Sequence, residues 1–169
     1  VLQKGLIKSF YTEKKGKEHI VHFYLPGEII GFEALFNQQY PYSLEVLTSA
    51  QVCEISAEKL FERLAKYPTL LQQLLALASK HIHQGFHLNY STAEQKLVGF
   101  LLMIKDRLGL QQQADFVLPM TQENIAHHLN LAPETITRLL AKLQARGVIR
   151  ISNKYVEIQD YELLGESLG

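Results

Sequence analysis

The sequence predicts an α+β chain in which a β-roll precedes a long pairing helix and a C-terminal winged helix-turn-helix. Three observations carry that expectation. Short strand-like runs punctuated by Pro and Gly fill residues 5–55. A helical pattern from Pro68 places apolar residues at alternating four- and three-residue steps. A helix, a tight turn, a second helix and a hairpin then follow one another across 120–158. The expected division is 1–67 for the roll, 68–90 for the pairing helix and 91–169 for the winged unit.

Composition narrows the function classes. With 169 residues the chain suits one domain or two small ones, and 47% hydrophobic content supports packed cores. No run of about eighteen apolar residues occurs, which argues against a transmembrane helix. Residues 1–17 are polar and carry Lys4, Lys8, Lys14 and Lys15, unlike a secretory leader. One Cys excludes an internal disulfide framework and fits a reducing cytoplasm. Net charge is zero, with 17 basic and 17 acidic residues, which argues against a non-specific DNA coater. Locally, Arg138, Lys142, Arg146, Arg150 and Lys154 outnumber Glu123, Glu134 and Glu157. Two copies side by side would double that excess.

In the roll, residues 5–12 and 19–25 read as paired strands around a Glu13-Lys-Lys-Gly-Lys17 turn, ended by Pro26-Gly27. Lys14, Lys15 and Lys17 suit a solvated turn better than a phosphate patch. A polar loop through 37–41 leads to strands at 42–48 and 51–55, the punctuation of a β-roll or cupin-like jelly roll. Cys53 reads as a small buried apolar residue in a strand.

Ser56 is placed to cap a short amphipathic helix over 57–65. From Pro68, the residues Leu71, Leu75, Ala78, Ile82 and Gly85 form the seam of a two-stranded coiled coil. The alternative is a helix packed on its own domain. Leu70, Leu74 and Leu77 widen the apolar face, while Ala78 and Gly85 permit close approach of two backbones. His81, His83 and His87 raise a metal reading, but only His83 and His87 share a face, so solvated histidines fit better. Asn89 and Ser91 interrupt the pattern. A helix over 92–108 then buries Leu97, Phe100, Leu101 and Ile104, with Gly109 as its stop.

The winged unit is the most explicit stretch. Thr121 is an N-cap, Ile125, His128 and Leu129 recur at helical spacing, and Ala126 lets a second helix approach. Asn130 tolerates the left-handed turn, and Pro133 restarts a helix where its missing amide hydrogen costs nothing. Ile136, Leu139, Leu140 and Leu143 form the buried stripe, leaving Glu134, Thr137 and Arg138 outward. Such a trio suits the major groove: Arg forks onto guanine, Glu accepts from cytosine N4, and a Thr methyl meets thymine. It is also compatible with a plain surface ion pair between Glu134 and Arg138. Strands at 148–151 and 155–158 around Ser152-Asn-Lys154 make the wing, and 160–164 reads as a terminal helix.

The runs Thr121-Gln-Glu-Asn-Ile-Ala, Glu134-Thr-Ile-Thr-Arg-Leu-Leu and Gly147-Val-Ile resemble the DNA-binding domain of the Crp/Fnr transcription-regulator superfamily. Glu134-x-x-Thr137-Arg138 is similar to the Glu-x-x-Ser-Arg reading residues of its Fnr-like branch, with Thr for Ser. Leu25-Pro-Gly-Glu-Ile-Ile-Gly-Phe32 resembles the family's sensor roll. The resemblance implies a homodimer on near-palindromic double-stranded DNA, with RNA polymerase as a further partner. It implies Glu134, Thr137 and Arg138 as base readers, and Thr121, Lys142, Arg146 and Lys154 as phosphate contacts. It also implies that the roll is a remnant lacking an N-terminal portion. Cyclic AMP-binding members follow Gly-Glu with Arg-Ser or Arg-Thr across a loop; Tyr42-Ser43 stands here, which argues against cyclic AMP control. Oxygen-sensing members use a Cys at the place of Cys53 as one of four iron–sulfur thiolates. A single Cys holds such a cluster only if upstream residues supply the other cysteines.

The competing expectation is a ligand- or partner-binding roll without DNA binding, with Glu134 and Arg138 satisfied against each other. An enzyme is disfavoured: no Ser-His-Asp set, P-loop or metal-ligand spacing is evident, and Cys53 has no base beside it.

Overall fold

The structure is a computed structural model that describes residues 1–35, 38–86 and 92–168, without the side chains of 80–86. Strands β1 (Leu2–Lys4), β2 (Ile7–Thr12), β3 (Glu18–Tyr24), β4 (Ser43–Val46) and β5 (Gln51–Val52) build the roll. One sheet has the order β3-β2-β4, and β1 pairs with β5 in another; both are antiparallel. The sequence suggested one strand over 5–12, but the chain breaks at Gly5. There φ is +94°, and a Cβ would lie 2.5 Å from the Ser49 carbonyl oxygen. That close approach turns β1 out of the β2 line and into the second sheet. The polar loop read at 37–41 lies partly outside the described residues, as do the interruptions at Asn89 and Ser91.

Helix α1 (Ala57–Lys66) begins at Ser56, whose hydroxyl accepts from the Lys59 amide. Helix α2 (Pro68–Phe86) packs mainly on α1, and Leu70, Leu71, Leu75 and Leu77 stay exposed. Helix α3 (Ala93–Arg107) starts in a capping box, Thr92 and Gln95 each accepting the other's amide at 3.1 and 3.0 Å.

Strand β6 (Asp115–Val117) leads into α4 (Gln122–Leu129) and α5 (Pro133–Ala145). Asn130 adopts φ 54°, ψ 46° at the end of α4, the left-handed residue expected there. The wing is β7 (Ile149–Ser152) and β8 (Tyr155–Ile158), with β6 completing the order β6-β8-β7. Ser152 belongs to β7 rather than to the turn, because it pairs with Tyr155. Asn153, at φ 58°, supplies the positive dihedral that a two-residue hairpin loop needs. Helix α6 (Tyr161–Glu166) closes the chain behind an Asp160 cap.

One apolar cluster joins roll and winged unit. Leu6, Ile20, Phe23 and Leu25 are continuous with Leu97, Phe100, Leu101, Ile104, Ile125, Leu129 and Ile136. Phe23 meets the edge of Phe100 at 6.0 Å and lies 5.3 Å from the His128 ring. His128 Nδ1 lies 3.1 Å from the Ile20 carbonyl oxygen, so Nδ1–H donates across the interface. Its Nε2 is sealed from solvent without a partner.

Beside this core sits an ion pair. Arg107, with its side chain 3% exposed, donates from Nε to Glu28 Oε1 at 2.9 Å and from a terminal nitrogen to Oε2 at 2.7 Å. The same nitrogen donates to the Phe23 carbonyl and lies 3.0 Å from His22 Nε2. Burial pushes the Glu28 carboxyl up, but hydrogen bonds from His22, Arg107 and the Leu25 amide, with the Arg107 charge, bring it down to about 2. Two further polar contacts join the roll to the α4 region: Lys17 donates to Asn130 Oδ1 at 2.8 Å, and His127 Nδ1 lies 3.5 Å from Glu18 Oε1.

These groups give the fold an acid limit with a defined sign. Burial pushes His128 down to about 4, outweighing its bond to Ile20, with His22 and Arg107 adding repulsion. The unfolded chain therefore takes up that proton first, and stability falls as pH drops from about 6.5 towards 4. Glu28 follows, its contribution full above about 4.5 and lost towards pH 2. Urea unfolding at pH 5 should show a stability about 2 kcal/mol below that at pH 7, a drop largely absent in His128→Gln. An equal drop in the variant would remove His128 as its source.

Candidate nucleic-acid interface

Helix α5 presents two faces of opposite character. Ile136, Leu139, Leu140 and Leu143 are buried, while Glu134, Thr137 and Arg138 are exposed together on the far side. Among the described residues Glu134 and Arg138 form no ion pair, with each other or elsewhere. The surface-pair alternative therefore does not describe this helix. Thr137 Oγ1 donates to Gln122 Oε1 at 2.8 Å and approaches the Pro133 carbonyl at 3.2 Å. Its hydroxyl is spent within the motif, which leaves its methyl for an outside contact. Gln122 was not singled out in the sequence. It follows the Thr121 cap by one residue, and no periodic signal marks it.

The expected phosphate contacts divide into two groups. Thr121 is exposed, its Oγ accepting from the Asn124 amide at 3.1 Å with its proton free to donate. Lys154 is exposed at the wing turn without an ion pair among the described residues. Lys142 and Arg146 are instead gripped by Glu94 of α3, at 2.5 and 2.6 Å. The Lys142 hydrogen bond leads in holding the Glu94 carboxyl below its usual range, against burial, with both cations adding attraction. Sequence reasoning missed Glu94, which lies 48 residues from Lys142. In the wing, Arg150 and Glu157 pair across the strands at 3.4 Å.

On α2, Leu71 is 42% and Leu75 61% exposed, and Ala78 is half-buried. Ile82, Gly85, His81 and His83 fall where side chains are not described, and His87 lies outside the described residues. Among the described residues no cluster of three metal-ligating side chains occurs, and no helix is long and apolar enough to cross a membrane.

Comparison with known proteins places this geometry. The profile of the Crp-like helix-turn-helix domain matches residues 95–167, and that of the cyclic nucleotide-binding domain matches 1–67. The Anaerobic regulatory protein of Haemophilus influenzae is 36% identical over 99% of the chain and 68% of its own length. The chain belongs to the Crp/Fnr family of transcription regulators. The Fumarate and nitrate reduction regulatory protein of Escherichia coli K12 is 32% identical over 99% of the chain and 70% of its own length. FixK2 from Bradyrhizobium japonicum shares the fold with a TM-score of 0.86 at 21% identity, covering 99% of this chain and 85% of that one. As a Crp/Fnr regulator the protein binds DNA through its helix-turn-helix.

The family's ligands can be tested against the residues. A cyclic nucleotide does not fit the described ones: Glu28, of the Gly27-Glu28 pair, is committed to Arg107, and Tyr42 offers no cation to a phosphodiester. Cys53 is not the buried strand residue expected: it is exposed just past the short strand β5, and it supplies one thiolate where an iron–sulfur cluster takes four.

Glu94 restrains the DNA-binding face. Glu94→Gln should free Lys142 and Arg146 for phosphate, raising affinity for random duplex DNA. It should also steepen the salt dependence by up to about 0.9 in log–log slope for each phosphate newly neutralised. A slope unchanged in fluorescence-anisotropy titrations would show that neither cation reaches DNA.

Proposed function

We propose that the protein acts in the cytoplasm as a homodimer that reads a near-palindromic operator and works with RNA polymerase. In this reading 1–67 is a partial sensor roll, 68–90 the dimerisation helix and 91–169 the DNA-binding domain. The carrying observation is the α5 face, where Glu134, Thr137 and Arg138 stand exposed and Arg138 has no ion pair among the described residues. Arg138 forks onto a guanine, Glu134 accepts from the cytosine of a nearby pair, and Thr137 sets its methyl against thymine. Thr121 and Lys154 hold phosphates directly. Lys142 and Arg146 join them once DNA competes with Glu94. Such contacts position the reader without specifying sequence.

Pairing is supported by Leu71 and Leu75 of α2, which are exposed in the single chain. Leu71, Leu75, Ala78, Ile82 and Gly85 form the seam. Two reading helices would then stand about one DNA turn apart, roughly 34 Å.

An operator selected from random DNA provides the test, read by anisotropy and analytical ultracentrifugation. Arg138→Ala should cost about 1–3 kcal/mol on that site and little on random DNA. Leu75→Lys should yield a monomer that binds the full site no better than a half-site. Equal losses on both DNAs would remove Arg138 as a base reader. A chain with no salt-dependent DNA affinity would favour a roll that binds only ligands or partners.

A further inference from the structure

The reader is joined to the roll through α3, and the two ends of that helix do different things. Along its length α3 packs on α5 in the shared apolar core, and near its start Glu94 also holds Lys142 and Arg146 in the DNA-free chain. At its last residue, Arg107 is forked onto Glu28 in the roll. A shift of α3 against the roll therefore carries the reading helix with it. The rest of the shared interface is chiefly apolar, built on Phe23, Phe100 and their neighbours. Apolar burial is non-directional and tolerates sliding. A two-point guanidinium–carboxylate pair fixes both distance and angle. Glu28 is itself immobilised, because its Oε2 also accepts the Leu25 amide at 3.0 Å within the Pro26-Gly27 turn.

We propose that Glu28 and Arg107 are positioning residues for DNA recognition, fixing α3 against the roll and thereby the half-site spacing that the paired reader accepts. The proposal rests on dimeric operator reading as described above. The carboxylate of the Gly27-Glu28 turn thus acts as a strut between sensor and reader. Lys17 on Asn130 and the His128 bond to Ile20 support the same contact from the α4 side. Replacing both members of a buried pair by apolar residues of similar size need not destabilise a fold, whereas removing one leaves a buried charge alone. Geometry and stability can therefore be separated.

The experiment uses the full chain carrying Glu28→Leu with Arg107→Met, and separately Arg107→Lys, which keeps the charge and loses the fork. Each is measured on a single half-site and on operators whose half-sites are displaced by one or two base pairs from the best spacing. Wild type should lose about tenfold or more on displacement, since bivalent binding depends on geometry. The double variant should bind the half-site as wild type does and lose less than about threefold on displacement. A folded, dimeric double variant with wild-type spacing discrimination overturns the proposal. If the double variant does not fold, Arg107→Lys decides by the same profile: relaxed spacing supports the strut, unchanged spacing refutes it. Failure of wild type to prefer any two-half-site DNA would instead count against dimeric reading itself.

Discussion

Everything in this molecule depends on α3 being buried against two different partners at once. Leu97, Val98, Phe100, Leu101 and Ile104 are withdrawn from water. At 3.6 residues per turn Leu97, Phe100, Leu101 and Ile104 share one face, and Val98 widens it to an arc of about 160°. That broad face is shared between the winged unit and the roll, and Phe100 against Phe23 continues the core into the first sheet. A helix covered in this way cannot swing freely on a linker. The reading helix inherits its place from the roll, and the Lys17, His127 and His128 contacts add polar restraints to the same docking.

Charge is distributed with comparable economy. Lys8 is buried between Glu18 and Glu45, Arg107 is closed onto Glu28, Lys142 and Arg146 onto Glu94, and Arg150 onto Glu157. Much of the basic complement is internally compensated, in keeping with a net charge of zero. In the winged unit, Arg138 and Lys154 are left without ion pairs among the described residues, one on the outward side of α5 and one at the wing turn. A protein arranged this way has little electrostatic affinity for arbitrary DNA. Under the proposed reading, discrimination then rests on directional bonds to base edges, where an unpaired Arg138 is worth more than several screened lysines.

What the sequence showed, and what it hid, follows from the range of each interaction. Ser56, Thr121, Pro133 and Asn130 act within a few residues of themselves, and the structure finds each as cap, first residue or turn. The α5 stripe was equally legible, because period and burial coincide there. Gly5 was not: its need for a bare backbone arises from Ser49 and Ala50, far along the chain. The Glu28–Arg107 and Glu94–Lys142 pairs span 79 and 48 residues, and no local pattern announces a partner at that distance. For the same reason Gln122 and Glu94 were missed, while the outward side of α5 beside them was legible.

Three kinds of force then fall to three tasks. The exposed leucines of α2 offer association without direction, since apolar burial rewards area and not angle. Forked ion pairs at Arg107 and Glu94 add direction at little gain in stability, because desolvation cancels much of their attraction. The outward trio of α5 adds neither bulk affinity nor rigidity, only a pattern of donors, acceptors and a methyl group. Under the proposed pairing each force limits the next: a seam without struts would bring two readers together at no fixed spacing, and struts without a seam would orient a reader that meets DNA alone. The roll's role follows from that order. A signal that reached β3 or the Pro26-Gly27 turn would act on the strut rather than on the reading residues, altering which DNA spacing is accepted while leaving base preference unchanged.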